Sequence, residues 1–378
     1  MSDQGKHAPF RYDYVGSFLR PAVLKEAREK YSQGEITAED LKQVEDACIL
    51  DLIAKQKAAG YHVITDGEFR RSWWHMDFFW GLNGIEKRNT ADGLHFHDEV
   101  TKAETAVIIG KISGENHPFV EHYKFVKAQE DEHTIAKQTI PAPAQLLAQL
   151  RLRDYREQNL SVYPDEEEMK NDIVLAYQQV IRDLYAAGCR TIQFDDCTWT
   201  LYADRAFWKR FGITEESLKK IAEEEIDINN RAMEGKPEDL VINTHVCRGN
   251  FHSTYANEGA YDPIAPYLFA RENVNALYLE YDDARSGGFE PLKQVTPGKK
   301  VVLGLITTKR PELEDKNVIK RRIYEAAKYV PLEDLCLSPQ CGFASTEEGN
   351  KLTEEEQWAK LALVREIAEE VWKDSGEF

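Results

Sequence analysis

Short apolar runs alternate with long amphipathic stretches along most of this chain. The apolar runs are YDYVGS (12–17), YHVITDGE (61–68), HTIAKQTIPAP (133–143), CRTIQFDD (189–196), DLVINTHVC (239–247), ALYLEYDD (276–283), KKVVLGLITT (299–308) and DLCLSPQCG (334–342). Each has the length of a strand and is undivided by the period-two polar alternation of a half-solvated sheet. Helical periodicity fills 37–60, 165–188, 214–235, 317–329 and 353–373. Thr37 is placed to cap the first of these and Gly60 to stop it; Pro164 or Asp165 opens the second and Gly188 closes it.

Apolar strands separated by helices predict a parallel sheet covered by helices. Eight such units predict an α/β chain built as a (β/α)8 TIM barrel, one domain over residues 1–378. An open doubly wound sheet is the alternative, but no G-x-G-x-x-G follows the first strand, and GSFLRP (16–21) offers no phosphate-cradling loop. Residues 85–132 break the rhythm. With TAVIIGKI (105–112) alternating, they read as a β-rich insertion between strands 2 and 3, expected to wall the pocket.

Composition narrows the function classes. The 378 residues carry a formal charge of −18, which repels phosphate backbones and anionic lipid and so argues against nucleic-acid or membrane partners. No apolar run approaches the ~20 residues of a membrane span, and MSDQGKHAPFRYDY lacks a secretory apolar core, so the expected location is cytoplasmic. Six cysteines in such a chain are expected as thiols or ligands rather than disulfides.

Barrel chemistry gathers at the C-terminal ends of the strands. The tips here read Ser17, Asp66 with Glu68, Pro141, Asp195 with Asp196, His245 with Cys247, Glu280, Thr307 and Cys341. His245 and Cys247 are two apart and project to one face of their strand. Glu280 and Cys341 end later strands and face the same mouth. One imidazole, two thiolates and a carboxylate suit Zn2+, which accepts borderline-soft ligands and has no redox chemistry.

Other features read as structural. HFHDE (95–99) is expected on a solvated face of the insertion, and WWHMDFFW (73–80) either packs as helix core or lines a pocket for a flat heterocycle. Cys48, Cys189, Cys197 and Cys336 are expected as buried small hydrophobes, and the carboxylates of EEEM (166–169) and EEEI (223–226) as helix surface. No G-x-S-x-G elbow or Walker sequence occurs.

Six stretches in order, VGSFLRP (15–21), DGEFRRS (66–72), TIQFDD (191–196), THVCRGN (244–250), LEYDDARSG (279–287) and LSPQCGF (337–343), resemble the catalytic barrel of the cobalamin-independent methionine synthase family. The single-barrel length resembles its shorter members. The resemblance implies zinc on His245, Cys247, Glu280 and Cys341. It implies homocysteine head-group contacts at Val15, Gly16, Ser17, Glu68 and Asp195, with the two carboxylates receiving the ammonium. The implied reaction is methylation of a zinc-activated homocysteine thiolate to methionine, with 5-methyltetrahydrofolate (polyglutamate) as donor. The family carries a histidine in a D-I-H-S-P setting after strand 7; the aligned GLITTKRP puts Thr307 there, so the acid for the departing folate is missing. Alternatives are alkyl or methyl transfer to another small thiol, or from a donor such as a methylcorrinoid protein. A decarboxylase-like lyase or a zinc-storage role explains the tip residues less well. The oligomeric state is left open by the sequence.

Overall fold

The computed structural model describes residues 7–90, 93, 102–152 and 155–373. The stretch 95–99 lies outside them. Ten strands are described: β1 (Val63–Ile64), β2 (Asn83–Asn89), β3 (Glu104–Ser113), β4 (Ile135–Ala136), β5 (Gln138–Pro141), β6 (Thr191–Asp196), β7 (Val241–Val246), β8 (Ala276–Glu280), β9 (Lys300–Ile306) and β10 (Leu335–Pro339). Six form one parallel sheet in the order β10-β9-β8-β7-β6-β5, and β1 pairs in parallel with β4. Tyr12 forms a parallel bridge to Leu337 of β10. Phe18 N–H donates to Gly67 O at 3.1 Å, joining the first and second strand ends.

The strands alternate between two cores. Leu277, Leu279, Val301, Leu303, Leu335 and Leu337 pack outward into the main core with the helices. Ala276, Tyr278, Val302 and Cys336 form a separate small cluster on the other face. Above it lies a fully buried ion pair, Lys137 Nζ to Asp13 Oδ1 at 3.1 Å, with Tyr278 Oη donating to Asp13 Oδ2 at 3.1 Å. The inner face thus turns polar toward the strand ends.

The helix Ala38–Ala58 is capped by Thr37, whose side chain accepts from Asp40 N–H in a capping box. Asp165 caps Glu166–Ala186, and Thr214 and Thr353 cap Glu215–Met233 and Glu354–Val371. The stretch 85–132, expected as a β-rich insertion, is not uniformly β. β2 and β3 pair as an antiparallel hairpin, but Pro118–Lys127 is a helix, with Phe119, Tyr123 and Val126 on its buried side and His117 as its cap. That i, i+4, i+7 spacing is the signal that outweighs the β reading of this part.

Candidate metal and substrate site

The β6, β7 and β8 register builds the site. Asp195 pairs with His245 and Asp196 with Val246; Val246 pairs with Leu279. His245 pairs with Tyr278, so Asp195, His245 and Glu280 share the inner face, with Glu280 one step beyond the Val246–Leu279 pair. Cys341 arrives from the turn after β10. The ligand atoms of His245, Glu280 and Cys341 lie within 4.8 Å of one another, all buried. Cys247 Sγ stands 3.8 Å from Cys341 Sγ, beside this trio rather than inside it.

The donor set fits a metal. Burial drives the His245 pKa down to about 3, so its imidazole is neutral and has a lone pair to give. Nδ1 lies 3.4 Å from Asp195 Oδ1, while Nε2 faces Gln340 O at 3.1 Å and Glu280 Oε1 at 3.9 Å. Glu280 Oε1 accepts from Arg248 N–H at 3.2 Å, and its buried Oε2 has no hydrogen-bond partner. Burial raises the Glu280 carboxyl. The Cys247 thiol is raised by its contact with Cys197 and by burial, and the Cys341 thiol by its contact with Cys247 and by burial. Glu280 Oε2, without a hydrogen bond and 3.7 Å from Arg285 Nη2, and thiols loaded with protons are groups that a divalent cation would relieve.

Arginines and amides lock the tips together. Arg20 donates to Ala344 O at 2.6 Å, Glu68 O at 2.7 Å and Arg71 O at 3.1 Å, tying three strand ends. Asn250 donates to Gly342 O at 2.7 Å, and Asn350 donates to Asn250 Oδ1 at 3.0 Å, fixing the Cys341 turn. Gly342 has no room for a Cβ, which would meet Ser17 Oγ. Glu68 sits at φ 62°, an unusual region for a non-glycine residue, and this aims its carboxylate inward.

A cavity of about 690 Å³ opens above the cluster. Val15, Ser17, Glu68, Asp195, His245, Cys247 and Cys341 all line it. Glu68 Oε1 accepts from Arg71 at 3.0 Å and Thr139 at 2.9 Å, while Oε2 is buried without a partner. Burial, and next the charge of Glu68, pushes the Asp195 carboxyl well up. Burial also raises the Glu68 carboxyl, against the lowering charge of Arg71, and an approaching cation would favour the ionised form of both groups.

Several expectations change. Gly16 does not line the cavity; its carbonyl accepts from Thr65 at 2.8 Å. Thr307 is buried outside the lining, its hydroxyl accepting from Lys309 N–H at 3.3 Å. No described residue of 85–132 lines the cavity; that wall comes from Trp73, Trp74 and His75, while Met76, Phe78 and Phe79 pack as core. Glu225 is not helix surface: it is buried and accepts from Thr198 at 3.1 Å. Cys197 is not remote either; it lines the cavity beside Cys247. Sequence reasoning also missed Lys309. Its buried Nζ has no hydrogen-bond partner, and it is the cation acting most strongly on Glu280. The TTKRP stretch carried no signal for it, because a lysine near a loop is ordinarily solvated.

The family model of the cobalamin-independent synthase catalytic domain matches residues 12–370. The chain belongs to this family. It is thus a cobalamin-independent methionine synthase-like methyltransferase by descent. It is 46% identical over 374 residues to the uncharacterized protein YxjG of Bacillus subtilis, covering 98% of this chain and 97% of that one. It is 24% identical over 361 residues to methionine synthase of Saccharolobus solfataricus, covering 90% and 94%. Among solved structures it resembles a candidate vitamin-B12-independent methionine synthase of Listeria monocytogenes, with a TM-score of 0.78, 39% identity and coverage of 97% and 99%. A B12-independent methionine synthase of Shewanella sp. W3-18-1, in complex with selenomethionine, shares the fold at TM-score 0.74 and 21% identity, over 97% and 99%. Among the described residues, no helix is long and apolar enough to cross a membrane.

Proposed function

We propose that this chain is a zinc-dependent methyltransferase that methylates homocysteine to methionine in the cytoplasm, with a methyltetrahydrofolate as donor. The strand segments are read as one closed eight-stranded barrel carrying residues 85–132 as an insertion. The observation that carries the proposal is the convergence of His245, Glu280, Cys341 and Cys247 at the floor of a cavity that also holds Glu68 and Asp195.

His245, Cys247, Glu280 and Cys341 would hold the ion. Zinc bound there supplies the charge that keeps a substrate thiol deprotonated at neutral pH. The remaining work belongs to the chain's own residues. Glu68 and Asp195 take the substrate ammonium, and Val15 and Ser17, which line the same cavity, take the carboxylate end. Fixing the head group aims the sulfur at the methyl carbon, so orientation is supplied before reaction. The aromatic wall of Trp73 and Trp74 offers a face for a flat donor.

One observation favours a second donor. Thr307 is buried away from the cavity, so the position that carries the acid in the family contributes none here. A donor whose leaving group needs no proton, such as a methylcorrinoid, fits that gap. The test is to give zinc-loaded protein homocysteine with methyltetrahydrofolate triglutamate and measure methionine. Methionine above background supports the folate reading; none, with one zinc per chain verified, removes the folate and leaves thiol activation to be assayed with methylcobalamin.

A further inference from the structure

Cys197 stands directly opposite Cys247. The last register pair of their strands is Asp196↔Val246, and Cys197 and Cys247 are the next residues of the two chain segments, with their side chains in contact. Neighbouring strands are about 4.8 Å apart, and paired residues project to the same face. The backbone keeps this pairing past the sheet: Cys247 N–H donates to Asp196 O at 3.0 Å. Thr200 Oγ1 lies 3.1 Å from Cys197 O and 2.7 Å from Cys247 O, pinning both carbonyls. Both residues line the cavity, and Cys247 in turn is 3.8 Å from Cys341. Cys197 touches Cys247, which touches Cys341, so three thiols follow one another near the Glu280 carboxylate.

We propose that Cys197 is a third thiolate ligand of the metal centre in the resting protein, holding the position that the substrate thiol later takes. The inference rests on the zinc reading above and deepens it. Exchange conserves atoms and charge. The Cys197 sulfur–metal bond breaks and the substrate sulfur–metal bond forms. The proton of the entering thiol passes to Cys197 Sγ, and none is released to solvent. With His245, Cys247, Glu280 and Cys341, Cys197 would make a five-donor shell when no thiol is bound, which leaves no position for water or adventitious ligands. Cys197 is half-buried while Cys247 and Cys341 are buried, so it is the member of the row with room to leave.

The experiment is zinc-edge X-ray absorption on the zinc-loaded full chain, counting sulfur neighbours with and without homocysteine. The proposal expects three sulfurs at rest and three with homocysteine. In Cys197→Ser it expects two at rest, rising to three with homocysteine. Two sulfurs in the resting wild type, or three retained in resting Cys197→Ser, would overturn the ligand role while leaving the zinc centre in place. Failure to bind zinc at all would remove the zinc reading itself, and the inference with it. Cys197→Ala gives the same count by a second route should the serine variant aggregate.

Discussion

Asp195 and His245 face each other as register partners on neighbouring parallel strands, with Asp195 Oδ1 3.4 Å from His245 Nδ1. The carboxylate holds the ring so that Nε2 looks toward Glu280 and Cys341. Asp195 therefore has two neighbours to serve, the His245 imidazole below and the cavity above. Outer carboxylates of this kind fix ring orientation and raise ligand basicity.

Asp195→Asn should lower zinc affinity by about 10- to 100-fold, the usual effect of removing such a partner. Competition against a chromogenic chelator reads it directly. Unchanged affinity would confine Asp195 to the substrate side.

Glu68→Gln should leave zinc content unchanged, because Glu68 touches no metal-site residue and is held by Arg71 and Thr139. It should raise KM for homocysteine by about 10- to 100-fold, the worth of one charged hydrogen bond. A thiol lacking the amino group should respond little. An equal response from both thiols would count against the head-group role.

Metal uptake should rise with pH. Contact with neighbouring thiols and burial hold Cys247 and Cys341 protonated well beyond the usual thiol range, so each must lose a proton to bind. His245, pushed down to about 3, loses none. Affinity should then gain roughly two decades per pH unit between pH 6 and 8, or three where Cys197 also binds as a thiolate, one decade per proton released. A flat profile by chelator competition would contradict thiol ligation.

Beneath the site, Glu272 is buried and raised to about 8 by burial and next by Asp196. Its Oε1 accepts from Asn229 at 3.0 Å, and its Oε2 has no partner. The folded chain keeps a proton that the unfolded chain releases near pH ~4.3, so this group's effect on stability worsens as pH rises from there to about 8. Glu272→Gln should leave stability near wild type at pH 4 and improve it by up to ~5 kcal/mol at pH 8. Denaturant unfolding at the two pH values checks it; equal shifts at both would rule out the titration.

The order of strands and helices was written in the chain, because undivided apolar runs and Thr or Asp caps are local signals. The polar tip residues were legible for the same reason: a strand end is recognisable without its neighbours. The family, too, followed from six short stretches in order. Three things needed the tertiary structure. The helix at Pro118–Lys127 sits inside a stretch whose first part alternates, and only packing of Phe119 and Tyr123 separates the two. The isolation of Thr307 from the cavity and the arrival of Lys309's charge at Glu280 depend on how the turn after β9 folds back. The pairing of Cys197 with Cys247 depends on register, a relation between strands fifty residues apart that no local pattern encodes. Local chemistry named the donors; the alignment of parallel strands decided which of them meet.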